Sequence, residues 1–423
     1  MWFLTTEPGL RCEVAMRVLL ITLGITLTLS AADERQLALM LKAQTDFERV
    51  QLAAKPTLAD IETCQQSEAA ALAVTAPEDL ALLHFRKGWC ALAGAVAAGA
   101  SSQFLAAAAE FDQARAAWPA RLGKNAKNAP PEPVSSGLRA VAAIARMLAG
   151  NDSRTEMAEA VDRPVCNSNL MSQDFCQQML GTGREWLGWI ALREGRLDDA
   201  ARLLTGATES GWSQWVQGRR SFDAGSYADA VANYTRAVEI WKSIWPQPSL
   251  LRALGPRPNV PVAQADLGGA QLLAGDAAAA IRTLDTSIKA DPSNAHAIFL
   301  RARARETAGQ QEAALADYNL ASRTAFATAQ DLASGEAHLY RGILLYRRKD
   351  FAHAEDEFSN ALNFEVTPAL RQDASAWRHL SAVAAGSCAA AREFLDGSLA
   401  RVSPFFPKQE ARSLATACRG SSQ

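Results

Sequence analysis

The side chains able to do chemistry are few in kind, and their spacing excludes most reactions. None of the five histidines, His84, His296, His338, His353 and His379, has a second histidine four residues on, so no helix face offers the paired imidazoles that grip zinc. No two cysteines stand as C-x-x-C, and none is paired with a histidine. The chain also lacks G-x-S-x-G, G-x-x-x-x-G-K-[ST] and H-E-x-x-H, the spacings that build an activated serine, a phosphate cradle and a metalloprotease centre. Gly181-Thr182-Gly183 resembles part of a phosphate loop, but it follows an expected helix instead of a strand and reads as a helix boundary. No catalytic group, metal or cofactor is expected. What is left is thiol pairing and surface contact.

The thiols form local couples. Cys12 precedes an apolar run, and the other six fall as Cys64 with Cys90, Cys166 with Cys176, and Cys388 with Cys418. An even set of local couples is the pattern of disulfides in an oxidising compartment; buried free thiols are the rival reading. The N-terminus points the same way. Met16-Arg17 opens a short positive segment, residues 18–29 are an apolar run, and Ser30-Ala31-Ala32 supplies small residues for cleavage, the form of a secretory signal peptide. Met16 is the expected start and Asp33 the expected first mature residue. A retained anchor is the alternative, although the run is shorter than the roughly 20 residues of a spanning helix. No cysteine follows the run at the cleavage site, so no lipoprotein anchor is expected. The expected location is periplasmic or extracellular in a bacterium, with no integral membrane segment after cleavage.

Charge excludes two partner classes. With 43 basic against 45 acidic residues, a net charge of −2, nothing favours nucleic acid or an anionic membrane surface.

The elements that must position any contact surface are helical and repeat. Leu267-Gly268 leads to Ala274-Gly275-Asp276, then to Ala280, Leu284 and Ile288, and Ala290-Asp291-Pro292 closes the unit. In the next copy Ala302 stands for Gly268 and Gly309 for Gly275, followed by Ala314, Tyr318 and Ala321. Gly275 to Gly309 is a step of 34, the period of helix-turn-helix solenoids. Gly268 lies inside a helix, where glycine costs about 0.5 to 1 kcal/mol relative to alanine, so a close helix contact is expected there. Weaker copies run through Trp186-Leu187-Gly188 and Gly195, through Gly218 and Gly225, and through Gly342, where Lys349 takes the place of the turn glycine. The interval from Gly195 to Gly225 is one helical turn short, and about 16 residues are inserted before Gly275, within 243–261.

These residues resemble the tetratricopeptide repeat. The resemblance is strongest over 265–321 and, fading, covers about half the chain. It implies an all-α, right-handed α-solenoid of stacked helical hairpins with a concave binding groove. The expected segments are a leader to residue 32, a helical region with one divergent repeat at 33–120, a loop-rich connector with one or two helices at 121–180, the repeat array at 181–366, and a C-terminal helical cap at 367–423. In the family the first helix of each pair lines the groove. On that projection Glu185, Trp189, Trp215, Arg219, Phe222, Phe299, Arg303, Leu339, Ile343, Tyr346 and Arg347 are groove candidates, the aromatic and arginine members being the types that dominate hot spots. Packing between repeats is the rival for each aromatic, and pairing with Asp223 or Glu306 is the rival for the arginines. The carboxylate clamp of some family members is not expected, because Trp189, Arg219, Gly269, Arg303 and Ile343 stand where its Asn would recur. The reading is an exported, non-enzymatic scaffold for a protein or extended peptide. A glycan or cell-wall binder using Trp189 and Trp215, and an atypical enzyme with a site in the connector at 150–174, are the alternatives.

Overall fold

The computed structural model describes residues 31–53, 56–76, 79–121, 135–162, 164, 166, 173–205, 211–244, 250–387, 402–404 and 406–420. The apolar run at 18–29, residues 388–401 of the expected C-terminal cap and with them the Cys388 end of the third thiol couple lie outside them. Every regular element among the described residues is an α-helix, and successive helices pack on one another as hairpins. Two compact units arise: residues 1–216 with 240–258, and residues 217–239 with 259–423.

The first unit holds α1 (Ala31–Leu52), α2 (Leu58–Leu72), α3 (Leu80–Ala98), α4 (Ser101–Arg121), α5 (Ser135–Leu148), α6 (Arg154–Asp162), α7 (Gln173–Arg193) and α8 (Leu197–Leu203). A capping box starts α2: the Thr57 hydroxyl accepts from the Asp60 amide at 3.1 Å and the Asp60 carboxylate from the Thr57 amide at 3.3 Å, satisfying donors that a helix start leaves open. Cys64 on α2 is bonded to Cys90 on α3, and Cys166 to Cys176 at the start of α7. One expectation changes here. Gly181-Thr182-Gly183 lies inside α7 and marks no boundary; Gly183 is buried, and a methyl there would come within 3.3 Å of Val161 on α6. The missing turn is real, since α8 has 7 residues against 14 for the corresponding helix Ala277–Ala290.

Next come α9 (Trp212–Asp223) and α10 (Tyr227–Ile244), through which the division between the units passes, and the short α11 (Leu250–Ala253) of the insertion. The second unit continues with α12 (Val260–Leu273), α13 (Ala277–Ala290), α14 (Ala295–Thr307), α15 (Gln311–Ala327), α16 (Asp331–Arg347), α17 (Phe351–Leu362), α18 (Pro368–Ala384) and α19 (Lys408–Gly420).

One rule closes the hairpins. A small residue on the first helix meets a large one sixteen positions on: Gly188 with Leu204, Gly218 with Tyr234, Gly268 with Leu284 and Gly342 with Phe358. A methyl on any of these glycines would lie 2.5 to 2.6 Å from its partner's side chain, closer than packed carbons approach, so glycine is held there by contact and not by turn geometry. In the remaining copy Ala302 and Tyr318 are both fully buried in one cluster. The sequence pattern conceals a second lock. In two of these hairpins, and in the α3–α4 pair where Gly88 meets Phe111 across a longer connection, a base directly before the small residue bonds an acid directly before the large one: Arg301 with Asp317 at 2.8 Å, Arg341 with Glu357 at 2.7 Å and Lys87 with Glu110 at 2.7 Å. His84 and His338 add an Nδ1 2.7 Å from the same glutamates. Between the helices the turn takes a left-handed residue, with Gly275 at φ 90° and, in the copy lacking glycine, Lys349 at φ 65°.

Candidate functional site

In the second unit the projected face gathers around α14 and α16, the first helices of two consecutive hairpins. The guanidinium of Arg303 lies 4.2 Å from the centre of the Tyr340 ring, and Phe299, one turn earlier, meets Tyr340 edge-on at 5.4 Å and Tyr318 at 5.9 Å. Arg303 and Tyr340 are half-buried. Among the described residues no carboxylate pairs with Arg303 within 4 Å, whereas Arg301 two residues back bonds both Asp285 and Asp317. Beyond it, Glu306 accepts from the Tyr318 hydroxyl at 2.7 Å and from Arg347 at 2.6 Å. Burial first, and then the Glu306 carboxylate, push the Tyr318 hydroxyl well above its ordinary range, so it remains a donor. The result is a cation steadied by a ring, flanked by an aromatic and by an Arg–Glu pair. Such a surface can hold a carboxylate or backbone carbonyls while rings cover an apolar side chain.

The other candidates sit elsewhere. Arg219 is exposed and bonds Asp223 at 3.0 Å one turn on, the counter-reading allowed for it. Phe222 packs edge-on against Tyr227 at 5.6 Å. Tyr346 is 7% exposed, lies against Phe351 and Trp377, and donates to Glu410 of α19 at 2.7 Å; it fastens the C-terminal cap. Leu339 is buried too, and Ile343 packs into the same cluster. Of the residues projected on α16, Leu339 and Tyr346 are therefore core, while Arg347 does reach Glu306 of α14. A helix turns about 100° per residue, and Tyr340, one place from Leu339, is the residue that faces Arg303.

The first unit offers a different surface. Trp186 and Trp189 meet edge-on at 5.4 Å, with the Arg193 guanidinium 5.0 Å from the Trp189 ring. Trp212 meets Trp215 at 6.4 Å and Trp241 at 5.0 Å. The insertion crosses this surface: the Trp186 indole N–H donates to the Leu254 carbonyl at 2.7 Å, and the Trp212 N–H to the Pro256 carbonyl at 3.2 Å. Glu185, also a projected groove residue, lies 3.9 Å from Arg252. Among the described residues no group of three or more His, Cys, Asp or Glu is placed to hold a metal, and no helix is long and apolar enough to cross a membrane.

Residues 266–326, which include the Phe299–Arg303 segment, match the tetratricopeptide repeat. The chain resembles the tetratricopeptide repeat family. No curated protein matches it by sequence. Among solved structures, MamA from Desulfovibrio magneticus is 18% identical, with 44% of this chain and 94% of MamA covered and a TM-score of 0.34. Yeast Tom70 is 12% identical, covering 91% and 89%, with a TM-score of 0.40. A tetratricopeptide repeat protein from Parabacteroides merdae is 12% identical, covering 67% and 99%, with a TM-score of 0.40.

Within this tetratricopeptide-like framework two contributors escaped the sequence. Tyr340 was hidden by a one-residue error of phase. Trp186 was read only as part of a repeat signature, and its role depends on where a proline-rich insertion runs, which no periodicity encodes. A signal for Tyr340 did exist, because Phe299 and Tyr340 share the 41-residue interval that separates Glu306 from Arg347.

Proposed function

We propose that the chain is an exported, non-enzymatic scaffold that binds an extended peptide or protein segment along the first helices of its second unit. The observation that carries this reading is Arg303: a half-buried guanidinium stacked on Tyr340 with no acid paired to it among the described residues. Arginine is rarely buried unless paired, so a partner carboxylate or carbonyl is the natural complement, with Phe299 beside it to cover an apolar side chain. A tetratricopeptide-like fold suggests a protein-interaction scaffold. The two disulfides support export to an oxidising compartment. Mixed rings and arginines, at Tyr340 with Arg303 and at Trp189 with Arg193, favour peptide over the bare aromatic ladder that suits glycan. An immobilised library of extended peptides, half of them acidic, tests the reading. Acidic members with a neighbouring apolar side chain should be retained by the native chain and released by Arg303→Ala; retention of the same peptides by both proteins would remove this site.

A further inference from the structure

The insertion lies on the tryptophan surface of the first unit in the manner of a bound peptide. After α11 the chain runs without regular structure to α12, and over that stretch it is read at alternate residues. The carbonyls of Leu254 and Pro256 each accept from a buried or half-buried indole N–H. Leu254 is 0% exposed within the core cluster that includes Phe85, Trp89 and Phe175. Between the two carbonyls stands Gly255, where a methyl would meet the Glu185 carboxylate at 3.1 Å, and Arg252 approaches the same carboxylate. An indole N–H only donates, so two of them aligned on successive outward carbonyls anchor a backbone whatever its side chains. The pocket for Leu254, the crowding at Gly255 and the burial of Pro256 then set a sequence preference. A third donor stands in the same cluster: the Trp241 N–H is buried and has no acceptor among the described residues.

We propose that the Trp186–Trp212 surface is a recognition site for an apolar–Gly–Pro turn segment, occupied within the same chain by residues 252–258 as an intramolecular competitor. The ligand class follows from the occupant: a buried apolar side chain in a turn that the Gly255 N–H closes on the Arg252 carbonyl at 3.2 Å, a residue with no side chain, and a proline whose ring fixes φ. A segment of that form from another protein would use the same two donors. The site shares no residue with the Arg303 surface, so each fails or stands alone.

The test uses the full chain with residues 250–258 replaced by a Gly/Ser stretch of equal length, and a labelled synthetic peptide of sequence 250–258 as the probe. Saturable one-to-one binding is expected, at least tenfold tighter than to the native chain, and Trp186→Phe with Trp212→Phe in the replaced chain should weaken it about tenfold. A replaced chain of native helicity that binds the peptide no better than the native chain overturns the proposal. Should the replaced chain fail to fold, Gly255→Leu in the otherwise native chain serves: it should expel the segment, shift tryptophan emission to the red and admit the peptide. Emission and binding unchanged from the native chain would overturn the proposal equally.

Discussion

The two units present aromatic surfaces built from the same kind of helix, yet among the described residues one is covered by its own chain and the other is not. On the first unit the indoles of Trp186 and Trp212 are satisfied by carbonyls of the insertion, so their rings serve cohesion. On the second, Tyr340 carries an arginine that lacks an acid among the described residues, and the proposed function assigns the same combination of ring and polar group to a partner. Residue type alone does not separate the two. What separates them is whether each polar group has found its complement inside the chain.

Losing a covered ring should cost folding, and losing an uncovered one should cost binding. Trp212→Ala is expected to destabilise the first unit by about 3 to 5 kcal/mol, as for other buried large-to-small changes, while Tyr340→Ala should cost well under half as much. Denaturant unfolding followed at probes in each unit would show it, and equal costs would erase the contrast.

The first unit also contains a buried acid. Glu68 is 0% exposed and its carboxylate has no hydrogen-bond partner among the described residues. Burial raises its pKa from 4.5 to about 7, against a smaller opposing pull from Arg86. The folded chain therefore holds a proton that the unfolded chain releases between pH 4.5 and 7, so stability falls as pH rises through that window and levels off above it. The expected loss is about 3 kcal/mol, and Glu68→Gln should flatten the profile; a profile unchanged by that substitution would place the acid elsewhere.

Both described disulfides lie in the first unit. Cys64→Ala with Cys90→Ala should lower its stability by about 2 to 4 kcal/mol, read by hydrogen exchange in α2 and α3, and leave exchange in α14 and α16 unaltered. The smallest effect belongs to the second unit. Lys349 stands at φ 65°, a conformation that favours glycine, so Lys349→Gly should stabilise by about 0.5 to 1 kcal/mol and Gly275→Ala should do the reverse. A melting shift of opposite sign in either would show that the turn is not held left-handed.

Much of this architecture was legible because packing leaves a periodic mark. A glycine inside a helix at Gly268 demanded a close neighbour, and Leu284 is that neighbour. Lys349 was identified as a turn residue from its place in the repeat alone, and its backbone agrees. The cross-hairpin locks at Glu110, Asp317 and Glu357 escaped because they depend on which turns of two helices face each other. The candidate surface was half legible. Arg303 and Phe299 were selected from their helical positions, but Leu339 and Tyr346 were taken for surface when they are core, and the covering of Trp186 by residues sixty-eight positions away leaves no local trace.

The central claim is that Arg303 waits for an acceptor from outside the chain. Calorimetric titration of the native chain and of Arg303→Ala with one acidic peptide retained by the native chain tests it most directly. The expected result is an affinity loss of about 2 to 4 kcal/mol, with helicity and melting nearly unchanged. Equal affinity in two folded proteins, or an Arg303→Ala variant that melts early without losing affinity, would contradict it.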